Sequence, residues 1–314
     1  MLDYNSFFNN YITQIKNESR LRVFREIERA PNLFPKAYHR WGDKKQEITL
    51  WCGVDYLGMG QNSKVIDAMI RALRKVGAGS GGSRNIGGNS YYHVLLEKEL
   101  AKLHNRDNAV LFNSGYIANQ ATLSALGSIL SECIFLSDAE NHASIREGIR
   151  LSKRPVKVFK HNDIDDLECH LVSLPKDQPK IVVFESLYSM GGDIAPIKEI
   201  LKVSKKHNAI TYIDEVHAIG AYGKNGGGIT EQEGLQKEIT IIQGTLGKGI
   251  GLCGGYIAGD TNILEAIKAC AAGFIFTVSL PPALSAGSLA SLSAIQPPII
   301  GQIKTRISID PFIV

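Results

Sequence analysis

The chain is poor in the features that would assign it to several functional classes. Its five cysteines, Cys52, Cys133, Cys169, Cys253 and Cys270, are odd in number, far apart and form no CxxC pair. Neither a disulfide framework nor a zinc site is indicated, and a reducing compartment is the natural expectation. No long block of one charge sign occurs; 35 basic against 31 acidic side chains leave a formal charge of +4 and no nucleic-acid or membrane footprint. No apolar run approaches membrane-spanning length. The N-terminus, MLDYNSFFNNYITQIKNESR, has acidic and polar residues where a signal peptide needs a basic start and an apolar centre. A soluble, cytoplasmic protein is therefore expected. Internal repeats and low-complexity segments are also lacking.

What the chain does have is alternation. Residues 3–29 mix Phe7, Phe8, Tyr11, Ile12 and Ile15 with charges at helical spacing, which predicts an amphipathic helix within an N-terminal arm, residues 1–44. From about residue 45 short β-rich runs alternate with longer helical ones. ITLWC is followed by the helix VIDAMIRALRKV, a glycine loop and the helix HVLLEKELAKL. The runs AVLF, CIFL, IVVFE, AITYID, ITIIQ and YIAG are continuously apolar, as in strands buried on both faces of a parallel sheet. An α/β layered fold is predicted over residues 45–295. The last residues, 296–314, form an atypical tail.

Two glycine motifs fail on context. GAGSGG, residues 77–82, spells GxGxxG, but a helical segment precedes it where a dinucleotide fingerprint needs a strand. TLGKG resembles the end of a phosphate-binding P-loop, yet the first glycine of that motif would fall on Ile242 and its Ser/Thr on Gly249.

Ligands collect at the carboxyl ends of strands in an open parallel sheet, so the residues after each apolar run carry the functional reading. AVLF leads to NSGY, a Ser-Gly turn opening a helix whose free N–H groups suit a phosphate. CIFL leads to Ser137 and His142, IVVFE to Ser189, AITYI to Asp214, Glu215 and His217, and ITIIQ to Thr245 and Lys248. Each has a plainer alternative: a turn, a helix cap, a hydrogen-bonded structural histidine, a solvated lysine. Together they suit pyridoxal 5′-phosphate (PLP). An amine would form the Schiff base, an aspartate would pair with the pyridine nitrogen, an imidazole would cover the ring and a helix N-terminus would hold the phosphate.

At these residues the sequence resembles the α-oxoamine synthases, fold-type I PLP enzymes, and within them the 5-aminolevulinate synthase branch. WCGVDYLGMGQ, GAGSGGSRNIGG, SDAENHASIREGIR, FKHNDIDDL, FESLYSM, YIDEVHAIGAYG, GTLGKG and GFIFTVSLPP carry the likeness in order along the chain. The resemblance implies Lys248 as the Schiff-base lysine, Asp214 at the pyridine nitrogen, His217 at the ring oxygen and His142 stacked on the ring. It implies that Gly115, Tyr116 and Thr245 hold the phosphate, with Ser137 and Ser189 beside the cofactor. Thr277 would reach the phosphate of a neighbouring subunit, making a homodimer with shared sites. Arg22 and the loop Ser83 to Ile86, including Asn85, would contact the acyl-CoA. Glycine and succinyl-CoA are the substrates it implies, 5-aminolevulinate, CoA and carbon dioxide the products, and haem or tetrapyrrole synthesis the setting. Glycine C-acetyltransferase, 8-amino-7-oxononanoate synthase and an inactive dimer partner are the alternatives. Val54 stands where the family has Asn, and the family's small C-terminal domain is expected to be largely missing.

Overall fold

The computed structural model describes residues 2–31 and 33–295, so the atypical tail expected at 296–314 lies outside the described residues. The chain divides into two compact units, the first ending at Trp51 and the second beginning at Cys52.

The first unit opens with helix α1, Tyr4–Asn17, whose N-cap Asp3 accepts the Asn5 amide at 3.1 Å. None of its residues is buried. The helix predicted over 3–29 thus stops well short. Ser19 takes a left-handed conformation (φ 54), a strained geometry for a residue other than glycine, and residues 20–25 carry no regular element. It then enters strand β1, Glu26–Arg29, which pairs antiparallel with β2, Lys36–Trp41, itself paired with β3, Lys44–Thr49. Glu28 draws the first unit's sheet together, meeting Arg40 on β2 and Lys45 on β3, the latter at 3.0 Å. The ITLWC run begins in β3 and so belongs to this small sheet.

The second unit carries helices α2, Ser63–Val76, and α3, Tyr91–Leu103, ahead of a seven-stranded sheet. The strands are β4, Asn108–Phe112; β5, Ile134–Asp138; β6, Val156–Phe159; β7, Lys180–Glu185; β8, Ala209–Asp214; β9, Ile241–Thr245; and β10, Gly255–Gly259. Their order is β4-β10-β9-β8-β7-β5-β6. Helices α4 (Gly115–Ile129), α5 (Ala143–Ser152), α6 (Ile164–Val172), α7 (Ile197–Lys206), α8 (Ile229–Glu233), α9 (Thr261–Cys270), α10 (Ala272–Ile275) and α11 (Pro282–Ile295) complete the unit.

Alternate strand residues supply opposite layers, as the two-residue period of a strand requires. Val110, Phe112, Val183 and Ile241 join a core with Leu123 of α4, Ile145 of α5 and Leu264 of α9. Val182, Phe184, Ile213 and Ile242 face Leu167 of α6 and Ile200 of α7. Helices therefore cover both faces, which accounts for the continuously apolar runs.

One run departs from the expected parallel pattern: YIAG, in β10, is antiparallel to both β4 and β9. The connection from β9, residues 246–254, is too short for the helical crossover that a parallel neighbour needs. It is a hairpin instead. Leu246 N donates to Gly254 O at 3.0 Å, opposite the Thr245–Gly255 pair. The amino end of β10 consequently meets the carboxyl ends of β9 and β4.

Candidate active site

Four elements converge at these strand ends. Lys248 sits in the β9–β10 hairpin, where its carbonyl accepts the Gly251 amide at 2.8 Å. Its neighbour Gly249 must be glycine, since a Cβ there would overlap the Ile219 carbonyl in the turn after β8. This close approach seats the lysine against that turn. Its amine meets His217 Nε2, and His217 Nδ1 lies 2.8 Å from the Tyr56 hydroxyl. With Nε2 accepting from the lysine, Nδ1 carries the proton and donates to Tyr56.

Asp214 ends β8 and is buried. Both its oxygens accept: Oδ1 from the Val216 amide at 2.9 Å, Oδ2 from Asn119 Nδ2 at 2.8 Å. His142 caps α5, with Nδ1 2.7 Å from the Ser144 hydroxyl. Its backbone N–H donates to Glu185 Oε1 at 2.6 Å, linking α5 to the end of β7.

Burial dominates the electrostatics. It pushes the Lys248 amine down to about 8, although the Asp214 and Glu185 carboxylates oppose the shift. Burial, then the lysine charge and His142, push His217 down to about 3. Burial likewise lowers His142 and raises Asp214. It raises Glu185 to about 8, with the Asp214 carboxylate adding to the rise. Two buried carboxylates thus share one suppressed amine, so a cationic ring nitrogen beside Asp214 would relieve the imbalance.

The anion cradle is the first turn of α4. Ser114 caps it by accepting the Ile117 amide at 3.1 Å, while the N–H groups of Gly115 and Tyr116 have no partner within the helix. Glycine at 115 keeps this turn close to β9, since a Cβ would stand 3.2 Å from Thr245 Oγ1. Thr245 Oγ1 donates to Gly254 O at 2.9 Å and accepts the Gly247 amide at 3.1 Å. The residues present therefore fit PLP: an amine, a buried carboxylate, an imidazole and a helix N-terminus next to a hydroxyl.

The structure brings together Lys248, His217, Asp214 and His142 through contacts or mutual charge effects, and sets Gly115 against Thr245. Other expected residues have different surroundings. Ser137 is buried and accepts from Asn141 Nδ2 at 2.9 Å. Ser189 is exposed in the turn after β7. Thr277 Oγ1 accepts from Asn113 Nδ2 at 3.0 Å, just before the cradle in sequence. Arg22 is exposed in the first unit, in the segment before β1. Ser83, Asn85 and Ile86 lie on a turn tethered twice. Ser279 Oγ donates to Gly88 O at 2.6 Å while its backbone N–H donates to Gly82 O at 3.0 Å, and the Arg84 guanidinium forms a two-pronged pair with Glu97 at 2.8 and 2.9 Å. Arg84 is thus committed to holding the turn, and Ile86 is 88% exposed.

Sequence reading missed Asn119, Tyr56 and the role of Glu185. Asn119 lies one helical turn beyond Gly115, so the two share a face of α4; a polar residue inside an apolar helix was the available signal. Glu185 ends an apolar run, which is the position that picked out Asp214.

Comparison with known proteins follows the same geometry. The model of the family aminotransferase class I and II matches residues 46–306. The chain is 52% identical over 93% of its length to the 5-aminolevulinate synthase of Rhizobium meliloti, covering 72% of that protein. Against 5-aminolevulinate synthase 1 of Cereibacter sphaeroides the identity is 50%, with the same coverages. Among solved structures, a serine palmitoyltransferase of S. paucimobilis with bound PLP-myriocin aldimine superposes with a TM-score of 0.87 at 32% identity, over 97% of this chain and 78% of that one. The 8-amino-7-oxononanoate synthase of Francisella tularensis gives 0.70 at 26% identity, over 82% and 72%.

Proposed function

Because this chain belongs to the class I and II aminotransferase family and, within it, to the 5-aminolevulinate synthases, we propose that its site joins glycine to succinyl-CoA. A carbon–carbon bond forms between the glycine α-carbon and the thioester carbonyl, CoA leaves, the glycine carboxyl departs as carbon dioxide, and 5-aminolevulinate is released. The carrying observation is Lys248, a buried amine against His217 within the field of Asp214 and Glu185.

PLP, when bound, supplies the electron sink that makes the glycine α-carbon nucleophilic. Lys248 would hold the cofactor through its Nζ and would move the α-proton; a suppressed amine pKa suits it to both tasks. Asp214 would pair with the pyridine nitrogen and favour its protonated form. His217 Nε2, freed from the lysine, serves the ring oxygen and is steadied by Tyr56. His142 covers a ring face. The Gly115 and Tyr116 amides, with Thr245, take the phosphate. Ser137 and Ser189 border the cofactor. Within the second unit, Ser83, Asn85 and Ile86 would contact succinyl-CoA.

We read the active assembly as a homodimer in which Thr277 serves the partner's phosphate. Exposed Phe276, Val278 and Ile86 near that residue and the tethered turn support a second copy as cover. No described helix is long and apolar enough to cross a membrane, and a cytoplasmic setting is part of the same proposal.

The test combines PLP with wild type and Lys248→Ala, then glycine and succinyl-CoA. Wild type should develop a visible band that the variant lacks and should form 5-aminolevulinate. Identical spectra in the two proteins would sink the cofactor assignment. Faster turnover with acetyl-CoA or pimeloyl-CoA would transfer the chain to a sister activity.

A further inference from the structure

A buried chain of hydrogen bonds runs behind the site, through residues that the proposed reaction does not use directly. The Tyr212 hydroxyl donates to Asn119 Oδ1 at 2.7 Å. Asn119 Nδ2 donates to Asp214 Oδ2 at 2.8 Å and to Ser144 Oγ at 3.0 Å. Ser144 Oγ stands 2.7 Å from His142 Nδ1. Tyr212, Asn119, Asp214 and Ser144 are all at most 4% exposed. The chain therefore spans β8, α4 and α5 and touches both groups that would grip the PLP ring.

Its polarity can be worked out from one end. An ionised carboxylate only accepts, so the amide nitrogen of Asn119 must face Asp214. The amide oxygen then faces Tyr212, which has to donate; burial pushes the Tyr212 phenol well above its usual range, which keeps it a donor. The second N–H of the same amide fills a lone pair of Ser144, whose hydroxyl proton is left to point at His142 Nδ1. That nitrogen also receives the Ser144 backbone N–H at 3.2 Å. Two donors on Nδ1 leave the imidazole proton on Nε2.

We propose that Asn119 is a positioning residue whose single amide ties the carboxylate of Asp214 to the hydrogen bonding of His142 Nδ1. The acidic partner of the pyridine nitrogen and the imidazole over the ring are set as a unit, with Tyr212 fixing the orientation of the amide and Ser144 passing it on. This rests on the reading of Asp214 and His142 as cofactor residues, but the tautomer is a property of the protein alone. The charged neighbours facing the chain are Lys248, Glu185 and, at His142, Arg146, and none of them supplies one of its side-chain hydrogen bonds.

The experiment labels the histidine side chains of the full-length protein with nitrogen-15. His142 is assigned by its loss in His142→Asn, and its nitrogens are read by NMR with and without PLP. Wild type should show a protonated Nε2 and a bare, hydrogen-bonded Nδ1 in both states. In Ser144→Ala, Nδ1 should move downfield towards the position of a less hydrogen-bonded nitrogen while Nε2 stays protonated. Asn119→Ala and the milder Tyr212→Phe, which retains the ring in the core, should release PLP more readily. The loss expected for Asn119→Ala is about tenfold, the usual effect of removing one hydrogen bond to a charged group. A proton on Nδ1 in wild type, an unmoved Nδ1 in Ser144→Ala, or unchanged PLP retention in both Asn119→Ala and Tyr212→Phe would overturn the proposal. Loss of the Lys248-dependent band is a separate outcome that leaves the apoprotein tautomer readable.

Discussion

The suppressed amine of Lys248 gives a quantitative expectation for cofactor uptake. Only a neutral amine can attack the PLP aldehyde. An ordinary lysine titrates at about 10.4, so at about pH 7.5 it offers roughly one neutral molecule in a thousand. With the Lys248 amine at about 8 the neutral fraction at that pH is about a quarter, roughly two hundredfold more. Uptake should therefore rise with pH and level off above about 8 rather than continue to about 10.4. Stopped-flow growth of the visible band, followed across the pH range with apoprotein, measures this directly. Glu185→Gln adds a sign test, because Glu185, as it ionises around pH 8, favours the charged lysine. Removing it should lower the midpoint, while glutamine can still accept the His142 amide. An uptake rate still climbing near about pH 10, or a midpoint that rises in the glutamine variant, would refute the argument that burial activates this lysine.

Two further outcomes are expected. His104 is fully buried, bonds the Tyr256 hydroxyl at 2.9 Å and is pushed down to about 3 by burial. Its unfolded form takes a proton below about 6.5 and its folded form does not, so its contribution to stability shrinks as the pH falls through that window, by about 2 kcal/mol between about pH 7 and 5. Chemical denaturation should show the stability gap between wild type and His104→Phe narrowing by about that amount, since the opposing rise from Glu185 is common to both; a pH-independent gap would contradict it. For the assembly, sedimentation of the PLP-loaded chain should give a dimer, and Phe276→Glu should shift it towards monomer; a monomeric wild type would remove the shared-site reading.

Much of the sheet was legible because its strands are covered on both faces and so read as unbroken apolar runs. β6 escaped: VKVF is short, lies at the sheet edge and is half-exposed, which leaves no continuous apolar signal. The direction of β10 was also hidden, since apolar composition carries no polarity and only the short connection reveals the reversal. Lys248, Asp214, His217 and His142 were singled out because they follow strand ends, and the structure brings their side chains together. Asn119 and Tyr212 could not. Tyr212 lies inside AITYID and reads as core, and its hydroxyl acquires meaning only through Asn119, far away in sequence. The overlong first helix shows the converse error, in which helical spacing continued past the point where Ser19 turns the backbone.

The hairpin that carries Lys248 has a consequence for the order of folding. Its two strands are neighbours along the chain, so they can pair by closing a short loop, an event on the scale of about 1–10 μs. The carboxylate and imidazoles that would serve the amine arrive from β8 and α5, and their alignment waits on the parallel pairing of β7, β8 and β9, which must close much longer loops. Hydrogen exchange during refolding should then find the amides of Leu246 and Leu252, both bonded within the hairpin, protected before those of Glu215 and Ser186, which bond to the neighbouring strands. The nucleophile is in place before the pocket that tunes it exists.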